Sequence, residues 1–141
     1  MERFEVDVRG CKASLLQQGQ GEAIIYLHGF PTSGYLWRDV MAQTSESYRT
    51  IAPDFPGFGH SQLLDEPHTW DTLRVWVGDL VDALGLEDIH LAVHDWGGLI
   101  GLPWFCDNDS RVKSLLICDT SFSSRDRWHA MATQWREPGI G

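Results

Sequence analysis

An aspartate followed by a run of glycines is the feature of this sequence most suited to chemistry. In residues 86–101, LEDIHLAVHDWGGLIG, the apolar run from Ile89 to Val93 has the composition of a strand buried on both faces, and Gly97, Gly98 and Gly101 follow at once. Glycines there let the chain turn sharply and let a new helix lie close to the strand. The spacing predicts a strand–turn–helix with Asp95 on the turn, a construction that lifts one side chain off the C-terminal edge of a parallel sheet. Serine is the usual occupant and attacks carbonyls. A carboxylate instead suits displacement at an sp³ carbon that carries a leaving group, and the product is an alkyl ester on the protein. Halide leaving from a carbon–halogen bond and alkoxide leaving from an opened epoxide are the two obvious cases. Aspartate is also a favoured helix N-cap, a role that involves no catalysis.

A second segment is suited to assist Asp95. Residues 23–27, AIIYL, read as a fully apolar and therefore central strand, which runs into HGFPTSGYLWRDV. A strand ending in His28-Gly29, then a loop before a helix, is the other half of an oxyanion hole. The backbone N–H of Phe30 would donate there beside that of Trp96.

The remaining elements must hold these two segments together. Residues 3–9 and 11–17 alternate around Gly10 and predict an antiparallel hairpin at a sheet edge. Helix 35–46 precedes strand 48–53. The stretch DFPGFGHS, 54–61, is glycine-rich but lacks GK[ST], so turn chemistry accounts for it better than phosphate binding. Helix 69–84 carries a one-sided stripe of Leu73, Val77, Leu80, Val81 and Leu84, and Gly85 stops it. Helix 97–107 leads to strand 112–118, VKSLLIC. The alternation from Ala23 onward predicts an α/β fold, a mostly parallel sheet with helices on both faces. In the tail, Trp128, Met131 and Trp135 share one helical face, read as packing on the body.

Bulk properties narrow the function classes. The 141 residues suffice for one core, and a formal net charge of −9 argues against nucleic acid or an anionic membrane as partner. A small neutral or apolar substrate is compatible with it. No apolar leader and no long apolar span are visible, so a cytoplasmic protein is expected. Cys11, Cys106 and Cys118 are widely spaced with no CxxC pair, which predicts buried reduced thiols, with no metal site and no cofactor.

Together, HGFP at 28–31, YLWR at 35–38, APDFPGFGHS at 52–61 and HDWGGLIGL at 94–102 resemble the N-terminal half of the α/β-hydrolase superfamily, in its haloalkane dehalogenase and epoxide hydrolase branch. The likeness runs from Arg3 to about Ser124. It implies residues 1–124 as the N-terminal part of the core and 125–141 as the start of a cap region, truncated before the cap and last strands. It implies a hydrolase that cleaves a carbon–halogen bond through an alkyl ester, with epoxide hydrolysis as the alternative. By the resemblance, Asp95 is the nucleophile, the Trp96 indole N–H holds the departing halide, and Phe30 and His28 belong to the oxyanion and halide region. Asp119, ending the strand after the elbow, stands where one subgroup of dehalogenases has its catalytic acid. Phe30 stands where some dehalogenases have a second halide-holding Asn.

Of the six histidines, only His129 follows Asp95 in the chain, and it falls in the expected cap. The family's water-activating histidine therefore has no counterpart here. A catalytically silent module, pairing strand 112–118 with a second copy or a completing chain, is the reading of another class.

Overall fold

The computed structural model describes residues 1–121 together with 133, 134 and 137. The tail face of Trp128, Met131 and Trp135, and also His129, lie outside the described residues.

The first hairpin forms as its alternation predicts. β1 (Glu2–Val8) pairs antiparallel with β2 (Cys11–Gln18), closed by Arg9 and Gly10. Both turn residues have positive φ, 58° and 75°, as a two-residue turn between right-twisting strands requires. β3 (Ala23–Leu27) and β5 (Ile89–His94) are apolar almost throughout and pair parallel at the centre of the sheet. β4 (Arg49–Pro53) lies between β2 and β3, and β6 (Val112–Cys118) pairs parallel with β5. The six-stranded order is β1-β2-β4-β3-β5-β6.

Two cores flank the sheet. The larger packs α2 (Trp70–Ala83) and α3 (Trp96–Asp107) against it through Leu73, Trp76, Val77, Leu80, Val81, Ile100 and Trp104. The smaller joins Tyr26 and Ala92 to Trp37 and Met41 on the opposite face. Thr69 caps α2 by accepting the Thr72 N–H, and Gly85 ends it at φ 64°.

Two details differ from the sequence expectations. The helix expected over 35–46 is a 3₁₀ turn, Gly34–Trp37, running into a short α1, Arg38–Thr44, because the Ser33 side chain accepts the Tyr35 N–H and tightens the start. Of the three thiols, all free, only Cys11 is buried; Cys106 is exposed on α3 and Cys118 is intermediate at the end of β6. β6 forms an edge strand whose Leu116 and Ile117 are 50% and 48% exposed, although its composition is that of a buried strand. No helix among the described residues is long and apolar enough to cross a membrane.

Candidate functional site

The parallel register of the central strands brings three loops to one edge of the sheet. Leu27 pairs with Val93 and His94 with Cys118, so the residues that follow, His28 to Phe30, Asp95 and Asp119, leave the sheet side by side. Asp95 has φ 52° and ψ −121°, a conformation a side-chain-bearing residue adopts only when its surroundings hold it there. Those surroundings can be named. The Asp95 carbonyl accepts the Gly98 N–H at 2.9 Å and the Thr120 hydroxyl at 2.6 Å, so the turn is tied both to α3 and to the end of β6. A Cβ at Gly98 would collide with Thr120, and one at Gly97 with the Leu27 carbonyl. The glycines after Asp95 thus let the helix sit against two strands at once.

The Asp95 side chain makes no capping hydrogen bond to α3. It turns the other way, and its Oδ1 accepts the Phe30 backbone N–H at 2.8 Å. The two loops meet so closely that a Cβ at Gly29 would overlap the Asp95 side chain. The N-cap reading therefore has no support in the geometry, and the strained residue projects a carboxylate into the cleft between the loops. Carboxylate and donor are in contact before any substrate arrives.

Trp96 follows on the first turn of α3. Its indole stacks on the Phe30 ring, with centroids 4.9 Å apart and planes at 26°. Phe58 meets it edge-on at 6.0 Å, and Trp70, the first residue of α2, at 5.1 Å. Four rings from four segments thus form an apolar wall beside a carboxylate. Phe30 and Trp70 are 39% and 45% exposed, so the wall shields the carboxylate on one side and leaves it open to solvent on the other.

His28 departs from its expected role. It is fully buried, its Nδ1 hydrogen-bonds the Gly29 carbonyl at 2.9 Å, and its Nε2 accepts the Phe55 N–H at 3.0 Å. That pattern requires the neutral tautomer with the proton on Nδ1, and burial pushes its pKa below the ordinary histidine value. Both nitrogens are committed to backbone, so His28 latches the 28–33 loop to the 54–61 loop and leaves nothing for a substrate. Asp119 lies at the end of β6, exposed, with φ 40°.

Sequence reasoning missed Asp54. Fully buried, it accepts the Gly34 N–H at 2.8 Å, the His60 N–H at 2.9 Å and Arg3 Nη1 at 3.0 Å. It fastens the end of β4, the turn carrying Phe58 and the 3₁₀ start at Gly34 into one unit. The signal available was a lone aspartate opening a turn, which the reading of 54–61 as turn chemistry already contains. Thr120 and Trp70 were also missed, and no local pattern marks either. Among the described residues, no three His, Cys, Asp or Glu side chains converge as metal ligands.

An open, mostly parallel sheet with a strained acidic residue on the strand-to-helix turn, faced by a backbone donor from the loop after the neighbouring strand, defines a class of fold. The family model for the alpha/beta hydrolase fold matches residues 22–139, and the chain belongs to that family. Relatives narrow the branch. The chain is 41% identical over 128 residues to a cis-3-alkyl-4-alkyloxetan-2-one decarboxylase of Xanthomonas campestris, covering 82% of this chain and 43% of that one. It is 34% identical over 130 residues to epoxide hydrolase 3 of Siraitia grosvenorii, covering 89% and 41%. The crystal structure of the haloalkane dehalogenase DatA from Agrobacterium tumefaciens superposes with a TM-score of 0.86 at 30% identity, covering 99% of this chain and 50% of that one. The chain belongs to the haloalkane dehalogenase and epoxide hydrolase branch of this fold and spans about half the length of these relatives.

Proposed function

We propose that Asp95 is a nucleophile that displaces a leaving group from an sp³ carbon and becomes an alkyl ester. The observation that carries the reading is the Asp95 carboxylate, held at 2.8 Å by the Phe30 N–H instead of capping its own helix. In the halide reaction a carboxylate oxygen forms a bond to carbon as the carbon–halogen bond breaks, and the halide leaves with the electron pair. The Trp96 indole N–H stabilises that charge as it develops, and the aromatic wall lines one side of it. The Phe30 and Trp96 backbone N–H groups then face the ester carbonyl, where the oxyanion of ester hydrolysis would form. Asp119 is assigned to orient the base for that second step. The base itself is assigned to none of the described histidines. The substrate is a small apolar haloalkane; an epoxide, opened by the same attack, is the alternative. Three free thiols support action in a reducing cytoplasm.

A second reading is favoured by the 41% relative, whose name specifies a β-lactone. Attack of Asp95 on the sp³ ring carbon bonded to the ring oxygen opens the ring and leaves a carboxylate on the adjacent carbon. Breaking that carbon–carboxylate bond then forms an alkene, releases carbon dioxide and expels Asp95 as a free carboxylate. Atoms and electrons balance without water or a base, so this route turns over with the parts described here.

The test is intact mass of the chain after incubation with 1-bromobutane, styrene oxide or a cis-3,4-dialkyl-β-lactone, with Asp95→Asn as control. A lasting adduct from the bromoalkane alone supports the halide reading. Alkene released catalytically from the lactone supports the second, and an adduct from the epoxide alone supports the alternative. A folded chain inert to all three contradicts nucleophilic chemistry. It would leave an interaction module, self-associating or completed by another chain, for which the exposed Leu116 and Ile117 on the β6 edge provide the surface.

A further inference from the structure

Trp96 is held by more than its own helix. Phe30 covers one face of the indole, while Phe58 and Trp70 abut it edge-on at 77° and 81°. Each comes from a different segment with its own anchor. Phe30 is on the loop latched by His28, Phe58 is on the turn fastened by Asp54, and Trp70 opens α2 directly after the Thr69 cap. An indole can rotate about two side-chain torsions, and its N–H is a directional donor, strong only near linear geometry. Three rings at van der Waals distance remove that freedom. Trp70 is the nearer of the two edge contacts and stays 45% exposed, so neither core burial nor a hydrogen bond among the described residues accounts for an indole there.

We propose that Trp70 is a positioning residue: by bracketing the Trp96 indole against Phe30, it aims the Trp96 N–H and so sets which leaving groups the site will release. This rests on the proposed displacement by Asp95. Leaving groups differ in how much they need an aimed donor. Chloride departs with concentrated charge and depends strongly on it, whereas iodide is large, polarisable and departs with little help. A loosened indole should therefore slow chloride displacement more than iodide displacement.

The experiment measures single-turnover alkylation of the chain by intact mass with 1-chlorobutane, 1-bromobutane and 1-iodobutane, in wild type, Trp70→Leu and Trp70→Phe. Trp70→Leu is expected to lower the chloride-to-iodide rate ratio about 10-fold, part of the roughly 10²–10³ that removing a preorganised donor outright costs. Trp70→Phe restores an edge contact and most of the ratio. An equal slowing with all three halides would mean a structural role only and overturns the proposal. The Trp96 indole N–H resonance, assigned through Trp96→Phe, provides a readout independent of chemistry. In Trp70→Leu it should shift and broaden, and in Trp70→Phe stay close to wild type. If wild type is never alkylated but the resonance moves as expected, displacement by Asp95 fails and the bracket stands. An unchanged resonance in Trp70→Leu overturns the bracket whatever the alkylation shows.

Discussion

Replacing Gly29 with alanine tests how the nucleophile is held. The three atoms nearest a Cβ at position 29 all belong to the Asp95 side chain, closer than real atoms approach. The new methyl must push the carboxylate aside, and Oδ1 then loses the Phe30 N–H now 2.8 Å away. A hydrogen bond to a charged group contributes about 1.5–3 kcal/mol, and forcing a methyl into a filled site adds about 1–3 kcal/mol. Gly29→Ala should therefore cost about 3–5 kcal/mol, read as a fall in the urea midpoint at unchanged slope. Asp95→Gly should be near neutral, because it loses the same Phe30 hydrogen bond but relieves the local strain. It removes the side chain that collides and relaxes a residue at φ 52°, a strain of about 1–3 kcal/mol. In the double variant the alanine methyl occupies the space the carboxylate vacated. The double-mutant cycle should then show a coupling of about 2–3 kcal/mol, near the top of the range for residues in contact. Additive effects within about 0.5 kcal/mol would refute the reasoning, because the cost of the alanine would then come from somewhere other than Asp95.

Other predictions concern the loops around the site. Thr120→Val removes the hydroxyl donated to the Asp95 carbonyl while the Gly98 N–H remains, so it should cost about 1 kcal/mol in urea and slow alkylation of Asp95 more than its stability loss implies. His28 has a folded-state pKa below its unfolded one, so its contribution to stability is fully present above the ordinary histidine pKa and is lost as pH falls toward the folded value. Tm should drop between pH 7.5 and 5.5, and His28→Gln should flatten that drop; an unchanged slope would contradict the latch. Asp54→Asn leaves buried N–H groups and Arg3 short of a charged acceptor, and about 2–4 kcal/mol of destabilisation should appear in thermal melts. Tyr26→Phe deletes a buried hydroxyl bonded to Thr44 at 2.9 Å and should cost about 1 kcal/mol, measured the same way.

The strands and the elbow were legible in the sequence because each rests on local chemistry. An apolar run such as AIIYL can only be a buried strand next to loops rich in glycine, and the glycines after Asp95 mark a close approach of helix to strand. β6 keeps the expected bounds, 112–118, for the same reason. What sequence could not give are contacts between residues far apart in the chain. Asp54 gathers Arg3, Gly34 and His60, and Trp70 meets Trp96 across two elements, so neither has a signature at short spacing. His28 shows a further limit. The motif HGFP identifies the loop beside the site, but only the three-dimensional bonds of both ring nitrogens reveal that it braces the loop from behind. The reading of buried thiols failed at Cys106 because α3 is apolar nearly all round, and composition alone does not say which side faces solvent.

The most direct test of the central claim is the position of the adduct. The chain should be incubated with 1-bromobutane, digested, and the modified peptide sequenced by tandem mass spectrometry. One butyl group on Asp95, absent from Asp95→Asn, is the predicted result. A butyl group on the exposed thiol of Cys106, with Asp95 unmodified, would contradict the account, since the chain would then react only as an ordinary surface nucleophile.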